Sequence, residues 1–285
     1  MAVFGGCGCR GKGGCLLLVI VSIVAIILLS GIGYKFFSDS IYTNLLKEFG
    51  FESEQEYNEF SDKMNEPFDD TDILIDMPTS TDGEISKAVL SSSLQLSNGE
   101  NVILDNGKLN LESMQNTGDV VLSSDMEFTS QQFAYAINLF LTSSTSDDEV
   151  ELAQDIQLKQ IDYQYLNDSS AKFNFYLDID SSDIGKAMGK LGKFVPERLL
   201  FNIAVTLTNE SDKLVASDCD IAINKLDEET TANFLNILAI LMDKSVVELK
   251  QWIGDTIAVL FNEFNTGLDC KFVFSNDIIT ITKVV

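Results

Sequence analysis

The chain has 285 residues, with 44 acidic against 19 basic side chains and no histidine, a formal net charge of −25 at neutral pH. That charge repels a phosphate backbone and excludes general nucleic-acid binding. Without imidazole there is no His-based triad, no His-ligated metal and no imidazole acid–base catalyst.

The first fifteen residues, MAVFGGCGCRGKGGC, are glycine-rich and carry Cys7, Cys9 and Cys15. Two thiols spaced C-x-C with a third six residues on resemble part of a soft-metal site. Nothing in so glycine-rich a tail holds the geometry, however, and no metal is assigned. Acylation of a juxtamembrane cysteine such as Cys15 is the alternative chemistry. Leu16 to Gly33 then run eighteen residues without a charge, about 27 Å as a helix, which is close to the hydrocarbon thickness of a bilayer. The run lacks a polar stripe and a clear small-residue cleavage site, so residues 16–34 read as a permanent transmembrane helix and not a signal peptide. Arg10 and Lys12 precede it, and sixteen basic against 44 acidic residues follow Lys35. The positive-inside rule therefore places the N-terminus in the cytoplasm and residues 36–285 outside a plasma membrane.

Residues 35–78 read as a membrane-proximal helical segment and an acidic linker. Ser53 with Gln55 and Glu56 marks a helix start, and Tyr57, Phe60 and Met64 recur at helical spacing. Asp69, Asp70, Asp72 and Asp76 lack the glycine and closing glutamate of an EF-hand, which leaves a solvated linker.

Residues 79–285 read as one α+β domain. From Thr79 the punctuation is that of strands, with Asn98-Gly99 and Asn106-Gly107 predicting two tight hairpins and Asp119 to Met126 a further strand. Thr129-Ser-Gln-Gln132 is a capping box, and Phe133, Ala136, Ile137, Phe140 and Leu141 fall on one helical face. Ile156, Leu158, Ile161 and Tyr163 mark one strand, and Phe173, Phe175, Leu177 and Ile179 alternate strictly in the next. Asp183 to Leu191 form a weak, glycine-interrupted helix. The stretch FVPERLLFNIAVTL leads into a strand, and KLVASDCDIAINKL returns with Val215, Ser217, Cys219, Ile221 and Ile223 facing inward. Phe234 to Met242 is apolar almost all round. Ser245-x-x-Glu248 caps a helix bearing Val246, Leu249, Ile253, Ile257, Leu260 and Phe264, with Trp252 and Phe261 widening the face. Two strands end the chain about Ser275-Asn276-Asp277, with Leu268, Cys270, Phe272 and Phe274 on one side. Cys219 and Cys270 thus fall on interior faces, either as an extracellular disulfide or as two buried free thiols.

A single anchor, a capped helix (FTSQQFAYAINLFL), long alternating strands, the junction DIAINKLDEETTANFLNIL and the terminal pair GLDCKFVFSNDIITITK together resemble the tubular lipid-binding (TULIP-like) superfamily, in particular its membrane-anchored bacterial members. The resemblance spans about residues 85–285 and rests on apolar spacing; two consecutive C-terminal helices depart from the pattern. It implies a curved antiparallel sheet packed on long amphipathic helices, with an apolar groove for acyl chains.

Two functions follow as expectations. One is an anchored, non-catalytic protein that binds a lipid or amphipathic envelope molecule in a groove lined by Phe133, Ile137, Phe140, Phe234, Ile237, Leu241, Ile253, Ile257 and Leu260. The other is an anchored interaction module, a scaffold or regulator of an envelope complex, in which the same residues fill a core. No cofactor is implied. The carboxylates single out no catalytic pair, and no phosphate-binding glycine loop occurs. Asn167-Asp-Ser and Asn209-Glu-Ser match the glycosylation sequon at a frequency chance explains.

Overall fold

The computed structural model describes residues 46–47, 49–69, 71, 73–99, 104–105, 108–109, 120–143, 156–180, 198–211 and 213–284. The N-terminal tail, the transmembrane helix expected over 16–34 and the weak helix over 183–191 lie outside these residues. Among the described residues no helix is long and apolar enough to cross a membrane.

The architecture is α+β, and every strand pair is antiparallel. In chain order the elements are α1 (Glu54–Met64), α2 (Ser80–Ser93), β1 (Leu94–Leu96), β2 (Leu104–Asp105), β3 (Lys108–Leu109), β4 (Val120–Leu122), β5 (Met126–Phe128) and α3 (Ser130–Ser143). There follow β6 (Ile156–Asn167), β7 (Ser170–Asp180), β8 (Arg198–Glu210), β9 (Lys213–Ile223), α4 (Glu228–Leu241), α5 (Val246–Leu268), β10 (Cys270–Ser275) and β11 (Ile278–Lys283). The centre is a meander of long strands in the order β6-β7-β8-β9, beside a three-stranded sheet β10-β11-β5. The Tyr163 hydroxyl joins the two sheets, donating to the Ser275 carbonyl at 2.8 Å and accepting from its N–H at 3.1 Å.

The strict alternation of β7 survives folding: Phe173, Phe175, Leu177 and Ile179 are buried, opposite Val205, Ile203, Phe201 and Leu199 of β8. β9 does not follow the expected phase throughout. Its pairing with β8 slips between Thr206 and Leu207, so Ser217 is an extra residue and the strand bulges. Ile221 and Ile223 face inward as the alternation requires, with Cys219 half-buried. Beyond the bulge the phase inverts: Leu214 and Ala216 are buried, while Val215 and Ser217 are exposed.

Helix α5 runs antiparallel to β9. Lys250 reaches Asp220 at 2.6 Å, Gly254 faces Cys219 and Ala216, and Asn262 meets Leu214. A Cβ on Gly254 would stand 3.0 Å from the Cβ of Cys219, so glycine lets the helix approach the strand.

Both outer strands of the meander are covered by an asparagine amide. Asn262 of α5 donates to the Leu214 carbonyl at 2.7 Å and accepts from its N–H at 2.8 Å. Asn138 of α3 does the same to Leu158 on β6, at 2.6 and 3.3 Å. Each amide replaces one rung of a missing strand and blunts an edge that would otherwise pair with another chain. Asn262→Ala strands both groups of Leu214 in a half-buried site and is expected to cost about 2 kcal/mol, with faster hydrogen exchange at the Leu214 amide. An unchanged exchange rate there would show that the clamp contributes nothing.

The N-terminal part of the described chain is packed into the same core. Ser53 caps α1, and Tyr57, Phe60 and Met64 are buried, with the Phe51 ring 5.4 Å from Tyr57 and 5.2 Å from Phe60. Gly50 lies beside Asn236 of α4, and Lys63 pairs with Asp227, the N-cap of α4, at 3.3 Å. Downstream, Asp69 and Asp76 are exposed as a solvated linker requires. The linker is nevertheless pinned, because Leu74 is buried, the Asp76 N–H donates to Gln160 and Phe68 lies beneath Arg198.

The structure differs from expectation at four further places. Residues 80–93 form a helix, α2, opened by a Thr79/Asp82 capping box. Its buried face is Gly83, Ser86, Leu90 and Ser93, and Ser86 donates to the Gln132 carbonyl at the start of α3. The turn at Asn98-Gly99 exists, with Gly99 at φ +87°, but β1 pairs with β4 instead of the strand following the turn. The second hairpin is as expected, Asp105 opposite Lys108. The strand expected to end at Met126 divides between β4 and β5, which join different sheets, and Leu268 ends α5 instead of opening β10.

Candidate functional site

Seven of the nine expected groove residues have described side chains. Phe133, Phe234, Ile237 and Ile253 are buried in the main core, Leu260 is buried apart from it, and Ile137 and Ile257 are half-buried against it. The side chains of Phe140 and Leu241 lie outside the described residues.

Their ring contacts fall into two groups within one continuous core. Phe133 sits 6.2 Å from Phe261 and 6.1 Å from Phe272, ring to ring. Phe234 instead meets Phe201 at 6.2 Å, near the opposite end of β8. Phe201 lies four residues, about 13 Å, along β8 from Val205, the partner of Phe173, and two residues, about 7 Å, from Ile203, the partner of Phe175.

The first group is filled by aromatic rings. Phe261 touches Phe272 at 4.9 Å, Phe173 at 5.7 Å and Phe175 at 6.3 Å, and Phe173 in turn meets Phe274 at 6.0 Å and Tyr163 at 5.4 Å. These separations are ordinary packed aromatic contacts, drawn from α3, α5, β6, β7 and β10. Phe261, the hub, was legible only as a residue widening an apolar helical face. Phe173 and Phe272 were legible as inward strand positions, but which helix they meet depends on topology.

Cys219 and Cys270 are free thiols, and the disulfide alternative is corrected. Cys219 packs at Gly254 and Cys270 at Asn265, eleven residues and about 16 Å apart along α5, beyond the reach of a disulfide. Burial raises the Cys219 thiol to about 11, helped by Asp218, and raises Cys270 to about 12. Both are protonated at neutral pH and poor nucleophiles.

The other face of the meander carries a set of paired polar groups. Tyr176 donates to Asp162 at 3.0 Å, and Gln160 donates to the same carboxylate. Burial and the Asp162 charge push the Tyr176 phenol up to about 12. Arg198 grips Asp178 with two bonds of 2.8 Å, and Lys159 adds a contact at 3.2 Å. Burial alone would raise the Asp178 carboxyl, but these two cations outweigh it and hold the group below its ordinary value. Tyr176 and Asp178 therefore each keep one protonation state around neutrality. Among the described residues no cluster of three or more Cys, Asp or Glu could hold a metal ion. Comparison of the chain with protein-family models, with curated proteins and with solved structures finds no match.

Proposed function

We propose that this chain is a membrane-tethered, non-catalytic interaction module, held outside a plasma membrane by residues 16–34 and presenting a domain with a filled interior. The observation that supports it is the ring cluster around Phe261. The space an acyl chain would need between α3, α5 and β7 is occupied by the protein's own side chains at 4.9 to 6.3 Å. The charge asymmetry about the apolar run supports the orientation.

The lipid-binding alternative draws on the order of elements and on Ile137 and Ile257, which are only half-buried on α3 and α5. Native mass spectrometry with lipid extraction separates the two. Residues 36–285, purified without detergent, should give an apo mass that incubation with membrane lipids leaves unchanged. A stoichiometric co-purifying lipid would overturn the filled-core reading and identify the ligand class.

A further inference from the structure

Helices α4 and α5 meet in an elbow that exposes apolar side chains. Ile240, on the last turn of α4, is 37% exposed, and Val247, in the first turn of α5, is 77% exposed. Met242 and Val246, between them in sequence, are half-buried. The turn is tight: Asp243 adopts φ +54°, and the Lys244 N–H returns to the Ala239 carbonyl. The Ser245 cap draws the Glu248 carboxylate back onto the backbone, with the Ser245 N–H donating at 2.8 Å. Lys244 stands between the two exposed apolar residues. Residues 240–248 hold Asp243 and Glu248 against Lys244, a small net negative charge on a chain that is otherwise strongly acidic.

The same end of the domain receives the chain from its proposed anchor. Gly50 abuts Asn236, one helical turn and about 6 Å before Ile240. Lys63 pairs at Asp227, the far end of α4, so the chain enters near the elbow and moves away from it. Only residues 35–45 separate the expected span from Leu46, a reach of at most about 43 Å.

We propose that the α4–α5 elbow docks on the bilayer that tethers the chain, with Ile240 and Val247 entering the lipid interface of a zwitterionic surface. The inference rests on residues 16–34 spanning that membrane. Two aliphatic side chains would hold a free domain only weakly; a short tether makes the encounter intramolecular and raises the effective concentration. Docking would set the domain's orientation and turn its acidic faces toward a partner.

The test uses the full chain in phosphatidylcholine vesicles with brominated acyl chains, which quench tryptophan on contact. Val247→Trp places a reporter on the elbow. Val259→Trp places one at a position that is 50% exposed, twelve residues and about 18 Å farther along α5. The native Trp252, the only tryptophan in the chain, is subtracted from the parent signal. Emission at 247 should fall about twofold more than at 259, and Ile240→Asp in the Val247→Trp background should restore it. Retention of the chain through an alkaline wash reports the span separately. A chain that is retained but quenched alike at both positions overturns the docking and leaves the tether standing. A chain that washes off overturns both.

Discussion

Phe261→Ala is expected to lower the stability of the folded chain by about 3–5 kcal/mol, the largest single truncation effect in the domain. Phe261 is 6% exposed and touches rings from α3, β7 and β10. Its removal costs the transfer energy of the side chain and leaves a void that four other phenylalanines, held on separate elements, cannot readily close. Phe261→Leu should cost clearly less, since most of the volume remains. Ile257→Ala, four residues away on the half-buried rim of the same helix, should cost about 1 kcal/mol. Urea denaturation checks all three, with a shifted midpoint and an unchanged slope marking a loss of stability. A loss below about 1 kcal/mol for Phe261→Ala would mean that the ring lines a compliant groove, and would return the lipid reading to first place.

The parts of the fold that were legible from sequence share one property: their signal is local. The capping boxes at Thr129 and Ser245 depend on residues three apart, and both are formed. The alternation of Phe173, Phe175, Leu177 and Ile179 needs only a period of two. Strands β2 and β3, two residues apart in the chain, pair as the Asn-Gly pattern between them predicts. Helix α2 was missed because its core face is Gly83, Ser86, Leu90 and Ser93. A face of small residues has no hydrophobic period, and only the Thr79/Asp82 box marked it. The small residues exist for close approach: a Cβ on Gly83 would meet the Tyr135 ring at 2.5 Å.

What escaped the sequence is set by contacts between distant segments. One extra residue at Ser217 inverts the face of β9 on its N-terminal side, and nothing in LVASDC marks a bulge. β1 takes β4 as its partner although a strong turn follows it, because a turn bends the chain without dictating which strand returns. Phe133, Phe234, Ile237, Ile253 and Leu260 are buried, since burial follows from apolar character on one face. Their division between a cluster at Phe261 and another at Phe201 depends on where α3, α4 and α5 cross the sheet. The same limit hid the membership of Phe51, Tyr57, Phe60 and Met64 in the main core, since the aspartate-rich stretch after them reads as a linker.

Arg198→Ala should be the most damaging polar substitution, at about 2–4 kcal/mol near neutral pH, and its cost should fall as the solution is acidified. Apart from Arg10, Arg198 is the only arginine in the chain. Its guanidinium holds both oxygens of Asp178 and lies over the Phe68 ring at 4.7 Å, so it joins β7, β8 and the linker. The Asp178 side chain is 11% exposed and that of Arg198 40%, which places the cost below that of a fully buried pair. Without the arginine, Lys159 remains as the charged partner, and burial is no longer fully opposed. The Asp178 carboxyl, held below its ordinary value in the native protein, should then move upward. In the native protein this depression contributes stability above the unfolded value of about 4, which is lost as pH falls through the lower folded value. In the variant Asp178 takes up a proton at a higher pH, and a neutral carboxyl has little need of a guanidinium. The stability gap between the two proteins should therefore be widest near neutrality and begin to narrow above about pH 4. Denaturation series at neutral pH and at about pH 4 measure it directly. A gap that stays constant over that range would mean that Arg198 acts through its stacking on Phe68 and not through the charge of Asp178.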